Sequence, residues 1–159
     1  MPSPDEFRSA MSRLPTGVTV VTALGESGPS GLTANAVASL SLEPPLMLAC
    51  LDRGSRTLRD VEHAARFGVN VLAADQAELA RRFATKREMH EKWDGVEWTE
   101  RNGVPTIDGT VASVTCELRD VLAGGDHVIL TGKVLHVAAG EGDPLVFYLG
   151  SYMDLGDAP

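Results

Sequence analysis

Three residues with anion-binding chemistry follow one another where an apolar run changes to helical spacing. The segment LDRGSRTLRD passes through a glycine into that spacing, which places Ser55, Arg56 and Thr57 at a helix start. Backbone N–H groups of a first helical turn have no acceptor within the helix, and the helix dipole favours negative charge there. Two hydroxyls and a guanidinium beside them predict a phosphate site. A serine or threonine in this position also caps a helix without any ligand, which is the commoner role.

A second segment, GLTANAVASLSLEPP, contains no charged residue before Glu43, although 23% of the chain is charged. Its alternation predicts one strand with two different faces. The apolar face comprises Leu32, Ala34, Ala36, Ala38, Leu40 and Leu42, and the other face comprises Thr33, Asn35, Val37, Ser39 and Ser41. The short neutral donors of the second face would suit a flat, neutral, polar ligand. The simpler interpretation is that another element of the protein covers this face, so that the strand is covered on both faces.

Two further features are candidates for binding. Positive charge is concentrated at Arg81, Arg82, Lys86 and Arg87, which form either a second anion site or a solvated helix end. His127 follows GGD at a predicted hairpin reversal, from which its side chain reaches over a barrel mouth, although most such histidines are surface residues. The sequence contains no HExxH, GxSxG or clustered Cys/His set, and no GxGxxG after a strand. Metal hydrolysis, a serine nucleophile and a Rossmann site therefore have no support, and no metal ligand is predicted.

Short strands and a few helices must position these residues. A capping box at Ser3 predicts an N-terminal helix, a second helix is predicted from Ser55 until Gly68 closes it, and a third is predicted from Asp75 to Phe83. Strands are predicted at TGVTVVTAL, GLTANAVASLSLEPP, PLMLACLD, FGVNVLA, TVASVTCELRDVL, HVILTGKVLHVAA and PLVFYLG. The first two form a hairpin, and glycine-rich hairpin turns join the last three. Residues 86–108 have no steady period and are predicted to be an irregular excursion.

The composition predicts one mainly β domain over residues 1–159. Tight reversals and few helices favour an antiparallel barrel over a doubly wound parallel sheet. A formal net charge of −8 opposes nucleic-acid and anionic-membrane partners. No segment approaches the ~18 apolar residues that span a bilayer, and the N-terminus has no signal-peptide pattern, so a cytoplasmic protein is expected. Cys50 and Cys116 lie in apolar strand patterns and are predicted to be small buried hydrophobes.

Taken in order, these motifs resemble the short-chain flavin reductases, which have the FMN-binding split-barrel fold and supply reduced flavin to two-component monooxygenases. The resemblance covers nearly the whole chain. It is carried by FRSAMSRLPTGVTVVTA, GLTANAVASLSLEPPLMLACLDRGSRT, FGVNVLAADQAELARRFA, AGGDHVILTGKV and PLVFYLGSY. It implies an antiparallel split β-barrel and a homodimer.

The resemblance also implies roles for individual residues. The strand contacts to flavin would come from Thr33, Asn35, Ala36, Ser39 and Ser41. The flavin phosphate would be held by Ser55, Arg56 and Thr57, while Arg82, Phe83, Ala84 and Tyr152 would lie close to the cofactor. His127 would lie where the nicotinamide stacks on the flavin and would position it.

The activity implied is that of an NAD(P)H:flavin oxidoreductase, in which NADH or NADPH reduces FMN or FAD and a separate monooxygenase receives the reduced flavin. Hydride moves to flavin N5, so the cofactors carry the chemistry and the protein supplies position and electrostatics. A carboxylate near the N1/C2=O edge would oppose the charge that develops there, which explains the uncharged segment. Two alternatives remain from the residues: a flavin-binding split barrel without turnover, acting as a redox or binding module, and a small barrel with another ligand or none.

Overall fold

The computed structural model describes residues 1–155, in which helices are few and strands are many. The helices are α1 (Pro4–Met11), α2 (Arg56–Ala64), α3 (Ala77–Ala84) and α4 (Met89–Trp93), and a 3-10 turn at Ala74–Gln76 precedes α3. The strands are β1 (Thr16–Gly17), β2 (Thr19–Gly25), β3 (Gly28–Ala34), β4 (Val37–Leu42), β5 (Pro45–Asp52), β6 (Arg66–Val71), β7 (Trp98–Arg101), β8 (Val104–Ile107), β9 (Ala112–Gly124), β10 (His127–Ala139), β11 (Val146–Tyr148) and β12 (Ser151–Met153). None of these helices is long and apolar enough to cross a membrane.

Seven strands form one antiparallel sheet in the order β3-β2-β6-β9-β10-β5-β4. The two ends of this sheet, β3 and β4, are separated in the chain by residues 35 and 36 alone. Three Cα-to-Cα steps span at most about 11 Å, so the sheet must curl until its ends meet. Within residues 1–155 β3 and β4 are not paired with each other, which leaves the curled sheet open along that line. The predicted mainly β, antiparallel class is confirmed.

The prediction of one strand across residues 31–45 is wrong. The chain turns at Asn35 and Ala36: the Val37 N–H donates to the Asn35 carbonyl at 3.0 Å, and Ala36 O accepts from the Cys50 N–H at 2.8 Å. The predicted apolar face is buried on β3 at Ala34, but on β4 Leu42 is 85% exposed. The prediction failed because the alternation of residue types continues unbroken through the turn. The chain nevertheless passes from β3, at one edge of the sheet, to β4, at the opposite edge.

Two other boundaries differ from the sequence prediction. Helix α2 ends at Ala64, where Ala65 adopts a left-handed conformation with φ 52°. Gly68 does not close this helix but lies inside β6, where an added Cβ would be 2.5 Å from Thr22 Oγ1 and 2.7 Å from Val104 Cγ1. Close packing of β8 on the sheet therefore requires glycine there.

The C-terminal part and the segment 86–108 also depart from the prediction. Strands β9 and β10 form the expected hairpin, but β11 pairs with β1 and β12 instead of with β10. Packing of Phe147 on the second core cluster draws β11 away from β10. Residues 86–108 are not irregular, because they contain α4 and the β7–β8 hairpin, two elements too short to show a period.

The core consists of two clusters. The first lies within the curled sheet and under α2, and it includes Leu51, Leu58 and Phe67. The second lies under α3 and α4, and it includes Phe83 and Trp93. These clusters hold rigid the elements whose ends carry the predicted site residues.

Candidate functional site

The start of α2 has the predicted geometry of a capped helix. Ser55 is extended, with φ −71° and ψ 142°, and its hydroxyl accepts from the Leu58 N–H at 3.1 Å. The N–H groups of Arg56 and Thr57 belong to the first turn and have no intrahelical acceptor by helix geometry. The Thr57 side chain is only 1% exposed, so it points into the protein. The capping role of Ser55 is confirmed, and the anion site at the first-turn N–H groups stays a prediction.

The Arg56 guanidinium is held beside this helix start by the segment that leads into α4. Its Nη1 lies 2.8 Å from Glu88 Oε2, and its Nη2 donates to the Arg87 carbonyl at 3.2 Å. The hydrogen bond and the charge of Arg56 lower the pKa of Glu88. The Arg56 side chain is half-buried and the Glu88 side chain is exposed, so solvent reaches the pair from the Glu88 side.

His127 lies across the sheet from the strand that leads into α2. It is the antiparallel partner of Asp52, the last residue of β5. Arg53, which follows β5, makes two hydrogen bonds to the β9–β10 hairpin. Its backbone N–H donates to Asp126 O at 3.1 Å, and its Nε donates to His127 O at 3.3 Å. The structure therefore places His127 opposite Asp52, three residues before Ser55, which sequence spacing alone did not show.

The His127 ring is oriented by its neighbour in the chain. Its Nδ1 lies 2.7 Å from Asp126 Oδ1, and the hydrogen bond and charge of the histidine lower the pKa of Asp126. A carboxylate at Nδ1 favours a proton on that nitrogen and leaves Nε2 for a ligand. Asp126 is a site residue that the sequence reasoning missed, although it is part of the GGDH segment that singled out His127.

A broad, mainly apolar groove of about 1220 Å³ runs between α1 and the turn that joins β3 to β4. Its wall on the sheet side includes Asn35 and Ala36, and Asp126 lines it as well. Thr16 also lines the groove, and its hydroxyl oxygen is buried without a hydrogen-bond partner in the described part of the chain. A groove of this size and lining is large enough for a flat ring system. The Thr16 hydroxyl could form a hydrogen bond with a ligand there.

Other predicted site residues hold α3 in place. Thr33 Oγ1 donates to the Ala80 carbonyl at 2.6 Å, which ties β3 to α3. The Phe83 ring is 1% exposed and packs edge-on against Trp93, with ring centroids 5.1 Å apart. Arg82 Nη1 donates to the Asp94 carbonyl at 2.7 Å. Since the Phe83 ring is in the core, any ligand contact by this residue would come from its backbone, whereas Ala84 is exposed.

The remaining predicted residues lie on β4 and β12. Ser39 and Ser41 are on the edge strand β4, where Ser39 is exposed and Ser41 half-buried, and neither lines the groove. Tyr152 packs against Phe147 at a ring distance of 5.3 Å, and the Arg81 guanidinium lies 5.3 Å from its ring centre. Burial raises the pKa of Tyr152.

Lys92 is a second residue that the sequence reasoning missed. It is 6% exposed, and its ammonium donates to the Phe83 carbonyl at 3.2 Å. Burial, with a smaller contribution from the charge of Arg56, lowers its pKa. The burial of Lys92 could not be predicted from the sequence, because the segment around it has no hydrophobic period. The one local indication is that Trp93 follows it.

Together these groups suit one kind of ligand. The α2 start offers N–H donors, the groove is mainly apolar, and His127 lies on the strand position opposite Asp52, next to Asp126 of the groove wall. Within residues 1–155 no three His, Cys, Asp or Glu side chains are grouped to hold a metal ion. N–H groups, hydroxyls and a guanidinium are donors of the kind that bind phosphate.

Comparison with known proteins agrees with this chemistry. The family profile described as the flavin reductase like domain matches residues 11–156. The chain is 38% identical over 153 residues to the reductase subunit HsaB of a flavin-dependent monooxygenase of Mycobacterium tuberculosis, covering 94% of this chain and 81% of HsaB. It is 40% identical over 147 residues to the FMN reductase (NADH) SmoA of Agrobacterium fabrum, covering 92% of this chain and 83% of SmoA.

A solved structure supports the fold over the full length. The NADH:FAD oxidoreductase SgcE6 of Streptomyces globisporus, in complex with NAD and FAD fragments, superposes with a TM-score of 0.89 at 34% identity. The match covers 100% of this chain and 99% of that structure. The chain therefore belongs to the flavin reductase like domain family.

Proposed function

We propose that this protein is an NAD(P)H:flavin oxidoreductase that reduces flavin by hydride transfer and supplies the reduced flavin to a separate monooxygenase. The observation that supports the proposal is the pairing of His127 with Asp52, three residues before the Ser55 cap of α2, while the neighbouring Asp126 lines the apolar groove. A phosphate, a flat ring and a reductant can then be bound side by side. The family membership supports this function over a flavin-binding module without turnover.

The residues of this chain would bind and orient, and none needs to act as an acid or base. The N–H groups of the first α2 turn, with the Arg56 guanidinium, would hold the phosphate of the flavin. His127, fixed through Nδ1 by Asp126, would position the nicotinamide. When bound, the flavin supplies the ring that accepts the hydride.

The groove limits negative charge around that ring. Asn35 and Ala36 form an uncharged part of its wall. The two carboxylates that line it are engaged elsewhere, since Asp5 lies 2.7 Å from Arg8 Nη1 and Asp126 lies 2.7 Å from the His127 ring. Because little unpaired negative charge faces the groove, a ring bound there could gain negative charge on reduction without strong repulsion.

Flavin and nicotinamide are the cofactor classes that we propose, with FMN or FAD as the flavin and NADH or NADPH as the reductant. SmoA is an FMN reductase (NADH), whereas SgcE6 is an NADH:FAD oxidoreductase. Relatives that differ in their flavin support the class of cofactor without selecting one flavin. Because the proposed reaction consumes a reduced nicotinamide, we place the protein in the cytoplasm.

We also propose a homodimer and an oxygenase partner. Large apolar side chains are exposed on the edge strand and on α1, with Leu42 85% and Phe7 60% exposed. A second copy would cover such surface. HsaB is a reductase subunit of a flavin-dependent monooxygenase, which supports a separate oxygenase that receives reduced flavin.

One pair of measurements tests the function. Titration with FMN and with FAD, followed by flavin absorbance, measures binding, and NADH or NADPH oxidation with excess flavin and catalytic protein measures turnover. Binding with turnover supports the proposal. Binding without turnover would indicate a flavin-binding module, and a lack of flavin binding would exclude both functions.

A further inference from the structure

The turn between β11 and β12 has an unfavourable residue at its first position. Its two residues, Leu149 and Gly150, both have positive φ, at 49° and 77°. A left-handed backbone is strained for a residue with a Cβ, and two-residue hairpin turns of this form strongly favour Asn-Gly. The β7–β8 turn has the same form and does contain Asn102 and Gly103, at φ 53° and 73°. Leucine at the first position therefore lowers stability relative to asparagine.

Contacts within the chain do not account for this leucine. Its side chain is 52% exposed and lines the groove between α1 and the β3–β4 turn. Its backbone N–H donates at 2.9 Å to the carbonyl of Ser12, the residue that follows α1. Any residue except proline can make that bond, because it comes from the backbone. Neither burial nor hydrogen bonding thus requires a leucine here.

A second unfavourable group lies on the same wall of the groove. Thr16 is the antiparallel partner of Phe147, two residues before Leu149, and all three residues line the groove. The Thr16 hydroxyl oxygen is buried and has no hydrogen-bond partner in the described part of the chain. A buried hydroxyl without a partner lowers stability. One wall of the groove therefore has two groups that oppose folding.

We propose that Leu149 and Thr16 form a subsite for a flat aromatic ring with a polar edge. The leucine side chain packs on the face of the ring, and the threonine hydroxyl forms a hydrogen bond with its edge. The contact with the ring is the reason for both unfavourable groups, since ligand sites commonly contain strain that lowers the stability of the free protein. The inference rests on the proposed function, which supplies two such rings, those of flavin and nicotinamide.

The first test uses a substitution with opposite effects on folding and on binding. Leu149→Asn introduces the residue that the turn favours and removes the apolar contact. We expect the melting temperature without ligand to rise by about 2 to 4 °C. If flavin is the ring, the Kd values for riboflavin and FMN should both rise about tenfold, because the two share the ring. If nicotinamide is the ring, the KM for NADH or NADPH rises instead.

Leu149→Met is the conservative variant. It keeps an apolar side chain, so the affinity for the ring should stay within about twofold of the wild type. Leu135→Asn is the matched control, because Leu135 is also exposed, at 37%, but lies on β10 and does not line the groove. This control is expected to leave the binding of flavin and of NAD(P)H unchanged.

The second test removes the unpartnered hydroxyl. Thr16→Val keeps the shape of the side chain, and we expect a melting temperature without ligand that is equal to or above that of the wild type. The binding of the same ring as in Leu149→Asn should weaken about fivefold, since one hydrogen bond to the ligand is lost.

The results separate the two rings and the two proposals. Weaker riboflavin binding assigns the subsite to flavin, and a higher KM for NAD(P)H with unchanged riboflavin binding assigns it to nicotinamide. Unchanged binding of both rings, or a melting temperature without ligand that falls together with affinity, would overturn the inference. Flavin reduction by the wild type would then leave the proposed function intact. If the wild type bound no flavin and oxidised no NAD(P)H, the proposed function would fail and the inference with it.

Discussion

His127 and Asp52 are direct antiparallel partners at the ends of β10 and β5. Since Asp52 precedes Ser55 by three residues, this pairing places the histidine of the β9–β10 hairpin next to the cap of α2. The contact is fixed twice by Arg53, through its backbone N–H and its Nε. The nicotinamide-positioning role proposed for His127 depends on this pairing.

Replacing His127 is expected to affect the reductant more than the flavin. In His127→Ala the rate of flavin reduction at subsaturating NAD(P)H falls, because a lost orienting contact weakens nicotinamide binding and hydride-transfer geometry. Equilibrium flavin affinity stays nearly intact. Anaerobic stopped-flow reduction across a range of NAD(P)H concentrations measures this effect.

A histidine elsewhere on the surface provides the control. His63 is exposed on α2 and lies 3.5 Å from Glu26, so His63→Ala is expected to leave the reduction rate unchanged and stability within about half a kcal/mol. Wild-type reduction rates in His127→Ala would remove the positioning role. A matching loss of flavin affinity would instead assign His127 to the flavin site.

The double variant Ser55→Ala, Thr57→Ala is expected to weaken FMN binding by about one to three kcal/mol, because the Ser55 hydroxyl is lost and the first-turn N–H groups that would hold the phosphate are less well ordered without the cap and the buried Thr57 hydroxyl. Loss of the Ser55 cap, which accepts from the Leu58 N–H, lowers the free energy of unfolding by about one kcal/mol as well. Calorimetric titration measures the first effect and thermal unfolding without flavin the second. FMN affinity equal to that of the wild type would refute a phosphate site at the start of α2.

Thr33 is expected to matter for stability through its bond to α3. Thr33→Val removes the donor to the Ala80 carbonyl and lowers the free energy of unfolding by about one kcal/mol, whereas Thr33→Ser keeps the hydroxyl and most of the stability. Urea unfolding of both variants measures the difference. Wild-type stability in Thr33→Val, together with weaker flavin binding, would show that the hydroxyl serves the ligand instead of α3.

The two cysteines are expected to differ in reactivity, since Cys50 is half-buried and lines the groove whereas Cys116 is buried. Burial raises the pKa of Cys116 to about 12. At pH 8 a thiol reagent should modify Cys50 and leave Cys116 unmodified until the protein unfolds. Saturating FMN should slow modification of Cys50, and equal rates with and without FMN would show that flavin does not enter this part of the groove.

Cys116 also predicts a dependence of stability on pH. Above about pH 8.5 an exposed cysteine in the unfolded chain loses its proton while native Cys116 keeps it, so the free energy of unfolding falls as the pH rises. This fall ends near pH 12, where the native thiol ionises too. Urea unfolding between pH 8 and 11 should show a shallower decline in Cys116→Ala than in the wild type, and equal slopes would contradict the prediction.

The sequence by itself determined the features that depend on a few neighbouring residues. The Ser55 cap, the capping box at Ser3 and the β9–β10 reversal before His127 all follow from local hydrogen bonding and turn chemistry, and the structure has each of them. The order of several modest motifs was enough to indicate the family. These signals act within about four residues, which is why they can be read without knowing the fold.

Only the tertiary structure decided which distant elements meet. The turn at Asn35 separates β3 from β4 without changing the alternation of residue types, because alternation records which faces are covered and not which strands pair. The burial of Lys92 depends on where α4 packs, and the proximity of His127 to Ser55 depends on the register of β10 against β5. Such relationships arise from long-range pairing and packing, and no window of sequence contains both partners.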